Sequence, residues 1–297
     1  MELWIAISIA AAFVQNLRFM LQKHLKGQLS SFGATYARFL WAAPLALITV
    51  VFLTWLRGDP LPGITKGFLI FGAIGGITQI VGTALLVSLF SFRNFAVGVT
   101  FSKTEAVQAA IIGFVLLGDK VAASGIIAII VSVIGVILMS VNISDLSLRG
   151  VFSRPTLLGL GSGMLLGISG VTYRGASLSL DGGDFLIRAA LTLAAVTVFQ
   201  TIVMSIYLKW REPGEIGRVI SGWRITSLVG LTGMLGSLGW FAAMTLQNAA
   251  YVKAVGQIEL VFAIAASYFF FKERPSLRDI AGIILIVLGI WLLLISR

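Results

Sequence analysis

Asn94-Phe-Ala-Val-Gly-Val-Thr-Phe-Ser-Lys103-Thr-Glu105 and Asn248-Ala-Ala-Tyr-Val-Lys253-Ala-Val-Gly256-Gln257-Ile-Glu259 are two copies of one pattern, 154 positions apart. Each is followed by an apolar run to a charged link, Gly118-Asp119-Lys120 or Lys272-Glu273-Arg274. A second apolar run then passes through Gly135 or Gly289. Both copies thus hold a glutamate inside apolar chain. A charge near a bilayer centre costs about 2.5–3.5 kcal/mol on insertion scales, so a carboxylate retained there points to function.

The composition says that the apolar surroundings are a membrane. Of 297 residues, 58% are hydrophobic and 11% charged, with a mean hydropathy of +1.00; a soluble domain carries about 25% charge. The absence of cysteine excludes disulfides, thiolate metal ligands and a cysteine nucleophile, and a lone His24 offers no metal cluster. No cofactor is expected. A net charge of +10 could suggest nucleic acid, but the basic residues are scattered among short loops and span edges. Headgroups and topology account for them, so the expected partners are the bilayer and a small-molecule substrate, with no nucleic acid and a monomeric carrier. Met1-Glu2-Leu3-Trp4 has no basic stretch before its apolar run, which therefore reads as a retained first helix rather than a cleaved signal.

A spanning helix needs about 20 mostly apolar residues. Ten such segments are predicted, at 3–22, 31–56, 66–90, 95–117, 121–142, 156–178, 184–208, 222–246, 249–271 and 277–296. The breaks have chemical causes: Arg57-Gly58-Asp59-Pro60-Leu61-Pro62-Gly63 is a turn, Arg154-Pro155 and Glu212-Pro213-Gly214 interrupt helices, and Asn94 and Asn248 are suitable N-caps. Residues 1–142 form a first five-helix repeat, 143–155 a linker and 156–297 a second repeat. Five is odd, so the second repeat crosses the membrane in the opposite sense. The expected fold is all-α integral membrane, two inverted five-helix repeats with a midplane site between them. Glu105 and Glu259 lie about ten residues into their spans, near mid-bilayer at 1.5 Å rise per residue.

The duplicated blocks Asn94 to Ser140 and Asn248 to Ser296, their charged links and the Ala37-Arg38-Phe39 segment together resemble the drug/metabolite transporter superfamily, specifically its EamA-type ten-helix members. The resemblance covers nearly the whole chain. It implies a secondary transporter of small metabolites, not an enzyme, with a central cavity lined from both halves, and both termini cytoplasmic. It names no substrate.

On a regular helix Glu105 shares its face with Gly98, Phe101, Ser102, Gln108 and Ala109, a face polar enough to line a wet cavity. Glu259 shares its face with Val252, Val255, Gly256, Phe262, Ala263 and Ala266, which is drier, so the two acids should be inequivalent. At least one should bind a proton, a cation or a substrate amine; the alternative is a static interhelical ion pair. Lys103 points about 200° away from Glu105 on one helix and cannot pair with it. Glu259 is its candidate partner by symmetry, with a backbone carbonyl or a wet vestibule as the alternative. Gln257 belongs to the same group.

Arg18, Arg38, Arg174 and Arg188 lie near predicted span ends, where snorkelling to headgroups is the default. Arg38 is the exception, since it matches the family's Arg-Phe position and precedes Pro44, where a kink is expected. Set against the two glutamates, these four with Lys103 and Lys253 favour an anionic or zwitterionic substrate. Gly230, Gly233, Gly236 and Gly239 in the eighth span, and Gly72, Gly75, Gly76 and Gly82 in the third, predict close helix packing. Trp4, Trp55, Trp210, Trp223 and Trp291 read as an interfacial belt, while Trp41, Phe101, Trp240 and Tyr251 should border the cavity.

Charge asymmetry and resemblance disagree over orientation. Odd-numbered connections carry eleven basic residues and even ones four, which puts the termini outside; the resemblance puts them in the cytoplasm. The expected function is secondary transport of a small polar metabolite across the plasma membrane by alternating access, with proton coupling at Glu105 or Glu259, or exchange. A membrane enzyme acting on lipid-linked substrates, or a passive channel, is the alternative. The close acidic pair Asp181-Gly-Gly-Asp184 lacks a nearby histidine and reads as a turn at a helix start.

Overall fold

A computed structural model describes residues 2–25, 27–58, 60–89, 102–140, 153–262, 264–265 and 276–295. Asn94, Gly98, Phe101, Ala263, Ala266, the Lys272-Glu273-Arg274 link and residues 141–152 of the stretch between repeats lie outside them. Regular structure among the described residues is helical, with one isolated backbone bridge between Gly63 and Asp181. The helices are α1 (Leu3–Leu25), α2 (Ser31–Arg57), α3 (Lys66–Leu89), α4 (Glu105–Leu117), α5 (Ala123–Ser140), α6 (Arg154–Leu178), α7 (Phe185–Arg211), α8 (Glu215–Ser221), α9 (Trp223–Leu246), α10 (Ala249–Gly256) and α11 (Leu277–Ile295). Six of them, α1, α2, α3, α6, α7 and α9, are long and apolar enough to cross a membrane; α4 and α5 are shorter and apolar.

Helix ends follow local chemistry. Ser30 caps α2 by accepting from Gly33 N at 2.9 Å, and Gly58 closes it with φ 69°, a conformation that glycine adopts at little cost. Asp184 caps α7 through Ile187 N at 2.9 Å, as a Gly-rich turn at a helix start requires. Asn248 caps α10 through Ala250 N at 2.9 Å. Pro155 sits in the first turn of α6 rather than interrupting it, because the amide it lacks would have no partner there. The short α8 was not expected from sequence; buried Glu215 accepts from Ser30 N at 2.6 Å and so ties α8 to the start of α2.

Packing between the halves is reciprocal. Helix α1 packs on α9 and α3 on α6; α2 packs on α7, α4 on α10 and α5 on α11. The α5–α11 crossing shows the reciprocity atom by atom. A Cβ on Gly135 would lie 2.7 Å from Gly282 O and 3.0 Å from Ile286 N, and one on Gly289 would lie 2.8 Å from Ala128 O and 2.9 Å from Ser132 N. Gly135 and Gly289, Ala128 and Gly282, and Ser132 and Ile286 each stand 154 positions apart, so equivalent residues make equivalent contacts. With lipid as apolar as leucine, close van der Waals approach at small residues holds such helices together.

The glycine-rich faces do the same. In α9, Gly230 meets Trp41 of α2, Gly233 meets Arg38, and Gly239 meets Ala11 of α1; in α3, Gly75 meets Tyr173 of α6 and Gly76 meets Phe199 of α7. Trp55, Trp210, Trp223 and Trp291 are exposed, as a belt requires, but Trp4 is buried at 4% exposure and donates to Glu2. Trp41 is a second correction: its indole donates to Thr226 Oγ1 at 3.0 Å and packs on Gly230, away from the central cavity.

Gly289→Ala and Gly135→Ala should each lower the apparent melting midpoint of the detergent-solubilised protein. The added methyl meets backbone, and overpacking of about 1–3 kcal/mol exceeds the roughly 1 kcal/mol helix-propensity gain. Gly217→Ala in α8, where nothing lies within 4 Å, should leave the midpoint unchanged or raise it; equal behaviour of all three would refute the tight crossing.

Candidate functional site

Both glutamates follow a break in their helix. Ser102 is helical, Lys103 and Thr104 form a turn, and α4 starts at Glu105; α10 ends at Gly256, Gln257 and Ile258 form a turn, and helical residues resume at Glu259. The breaks occupy repeat-equivalent positions. Beyond them the first amides bond three residues back, Val107 N to Thr104 O and Leu260 N to Gln257 O, each at 3.1 Å, a tighter pattern than α-helix. Gln257 Nε2 reaches Lys103 O at 3.5 Å, so two equivalent positions touch each other.

The neighbouring sequence makes room for the breaks. A Cβ on Gly163 of α6 would lie 2.7 Å from Ser102 O, and one on Gly167 would lie 3.4 Å from Glu105 O. The broken stretch of α4 therefore lies on a glycine face of α6. Gly256 does the same for Trp240, whose ring would be 2.6 Å from a Cβ there.

Across these breaks the charges pair crosswise. Lys103 forms a buried ion pair with Glu259, and Lys253 Nζ lies 3.2 Å from Glu105 Oε2. Each lysine also sits over a ring, Lys103 over Phe19 at 5.9 Å and Lys253 over Trp240 at 5.7 Å. The pairs are not copies of each other, because Lys103 aligns with Gln257 and Lys253 with Val99. Glu259, at 7% side-chain exposure against 13% for Glu105, is the drier acid. Gln15 of α1 joins the network, donating to Glu259 Oε2 at 2.7 Å and accepting from Trp240 Nε1 at 3.0 Å.

These groups border a central cavity between the halves. Its wall includes Arg18, Arg38, Lys103, Glu105 and Lys253, with Gln79, Ser102, Ser169, Tyr173, Ser237 and Trp240. About 50 Å³ is open to the centres of water-sized molecules, where a single water needs about 10–15 Å³. A compact polar ligand is what such a space admits. Tyr173 is fixed by donating to Gln79 Oε1 at 2.9 Å and by Gln200 at 3.2 Å.

The structure gathers most of the expected residues and redistributes the rest. Glu105, Lys103, Arg38, Ser102 and Trp240 line the cavity, and Glu259 and Gln257 line a smaller space continuous in residues with it. Lys103 and Glu105 both reach the cavity despite the expected 200° separation, because the turn at 103–104 replaces regular helix. Gln108 and Tyr251 do not line it: Gln108 donates to Thr104 Oγ1 at 3.1 Å, and the Tyr251 hydroxyl accepts from Ala122 N at 3.2 Å beside Gly125.

Arg18, expected to snorkel, is 4% exposed and faces the cavity; its position near a helix end hid that α9 covers it. Arg174 is also inward, bound to Asp119 at 3.0 Å and to Met244 O and Gln247 O. Arg188 binds Gly182 O and Gly183 O. Gln15, Gln79 and Tyr173 were missed, since single polar residues in apolar helices carry no pattern until a partner helix is placed beside them.

Paired charges around a polar central cavity in a polytopic helical bundle suit a membrane transport protein. The EamA-like transporter family model matches residues 2–141 and 154–295, so the chain belongs to that family and is a multi-pass integral membrane protein. A solved crystal structure of a protein at 12% identity superposes with a TM-score of 0.70 over 98% of this chain and 94% of that one, which shows a shared fold. No curated protein matches.

Glu259→Gln should strip Lys103 of its counter-charge inside the bundle, a loss of about 3–5 kcal/mol. The apparent melting midpoint should drop by several degrees, and Lys103→Met combined with Glu259→Gln should restore most of it. A double variant no more stable than the single one would show that the pair is not coupled.

Proposed function

We propose that the chain is a secondary transporter that carries a small polar metabolite, such as an amino acid or organic anion, across the plasma membrane by alternating access. The observation that carries this reading is the crosswise Lys103–Glu259 and Lys253–Glu105 pairing at two equivalent helix breaks beside one cavity. Discontinuous helices meeting at the interface between repeats are where such carriers bind substrate and coupling ions. The reciprocal helix pairing supports two inverted five-helix repeats and ten spans in all. Opposite ends of α2 also support inversion: its start meets α8, after the end of α7, whereas Arg57 at its end pairs with Asp184 at the start of α7.

Ion pairs whose partners sit on different halves can exchange as the halves rock. When Lys253 leaves Glu105, that carboxylate needs a proton, a substrate cation or another cationic side chain, which links solute movement to charge movement. Protonation of Glu105, the wetter acid, is the coupling step; exchange of one solute for another is the alternative.

Glu105→Gln should abolish coupled uptake in proteoliposomes while the protein still purifies as a folded monomer; wild-type uptake by this variant would remove Glu105 from the mechanism. An imposed proton gradient should accelerate uptake by the wild type, and a rate indifferent to that gradient would assign exchange or facilitated diffusion instead.

A further inference from the structure

Two arginines in the cavity wall take no part in the lysine–glutamate pairs. Arg18 of α1 and Arg38 of α2 are 4% and 5% exposed, and both border the cavity. They converge over Gly233 of α9, where a Cβ would lie 2.8 Å from Arg38 Cγ and 3.7 Å from Arg18 Cδ. Glycine there gives the Arg38 stem room that a methyl would take.

Their bonding to the protein is thin. Arg18 Nη2 donates to Gln15 Oε1 at 3.4 Å, beyond the usual hydrogen-bond range, and its Nε is buried without a partner. Arg38 Nη2 donates to Ser237 Oγ at 2.9 Å. Each guanidinium carries five donors and lies against a ring, Phe19 at 4.8 Å and Phe39 at 5.1 Å. Among the described residues neither has a carboxylate in ion-pair contact.

The charge balance then identifies the missing partner. Lys103 and Lys253 are matched by Glu259 and Glu105, which leaves the two guanidiniums as the unbalanced charge of the cavity among the described residues. Buried cations without counter-ions are costly, and the arginine fork fits carboxylate and phosphate oxygens two at a time. We propose that Arg18 and Arg38 form a subsite for a small doubly charged oxyanion, a dicarboxylate or a phosphate monoester, whose oxygens take up the unused N–H donors. This deepens the transport reading by naming the substrate class, and rests on it for the role of the cavity.

The test is ligand-dependent melting of the full-length protein in detergent, titrated with succinate, glycerol 3-phosphate, alanine and choline. Succinate or glycerol 3-phosphate should raise the midpoint, the stronger of the two deciding between carboxylate and phosphate, while alanine and choline should not. Arg18→Gln and Arg38→Gln should each weaken that binding at least about tenfold. Because each removes an unmatched buried charge, the ligand-free midpoint should hold or rise. The proposal is overturned if neither dianion shifts the midpoint, if alanine or choline binds as well, if affinity is unchanged in both variants, or if the variants melt below wild type, which would make the arginines packing residues. Arginine-dependent dianion binding without any uptake would refute the transport reading alone. Uptake of a neutral or cationic solute, indifferent to both variants, would refute the subsite alone.

Discussion

The two lysine–glutamate pairs beside the central cavity each join one half of the chain to the other. Lys103 reaches Glu259 and Lys253 reaches Glu105, so neither repeat is electrically complete by itself. That requirement fixes how the halves meet. It places the two helix breaks beside each other, and Gln257 and Lys103, equivalent residues of the two repeats, then come into contact. Such pairs add little net stability over well-packed apolar residues but penalise every arrangement that separates them, which makes them better suited to specifying an interface than to strengthening it.

Small residues supply what the charges cannot. The broken stretch of α4 approaches α6 at Gly163 and Gly167, and α5 and α11 cross with backbone against backbone at Gly135 and Gly289. Removing side chains at these contacts lets polar backbone freed by the breaks lie against protein rather than lipid, which is the condition for irregular backbone at membrane depth. The same device over Gly233 brings Arg18 and Arg38 together. Close packing and the polar cavity therefore have one cause in the sequence, glycine placed at the helix crossings.

Much of this is legible in the sequence. The 154-residue offset between glutamates, the helix-breaking turns and the hydrophobic content together specified a helical membrane bundle of two repeats, and symmetry named Glu259 as the partner of Lys103. What sequence could not supply was the break itself. Regular 3.6-residue periodicity turned Lys103 away from Glu105, whereas the turn at 103–104 lets both reach the cavity; Gln108, within the regular helix that follows, bonds back to Thr104 Oγ1 instead. Arg18 was hidden for a different reason: closeness to a helix end resembles snorkelling until α9 is seen to cover the side chain. Tyr251 was misassigned because its helix is buried on several sides, and its hydroxyl serves the Ala122 amide instead of the cavity.

In the proposed arrangement the two repeats cross the membrane in opposite senses and meet at the paired charges. The links between α1 and α2 and between α6 and α7 are repeat-equivalent, and they lie at opposite ends of α2. A cysteine-free chain allows one exposed position in each link to be labelled cleanly, Gln28→Cys and Asp181→Cys. Membrane-impermeant maleimide, applied to right-side-out and inside-out vesicles, should modify one variant in the first preparation and the other in the second. Modification of both from the same side would contradict the inverted arrangement and the mechanism built on it.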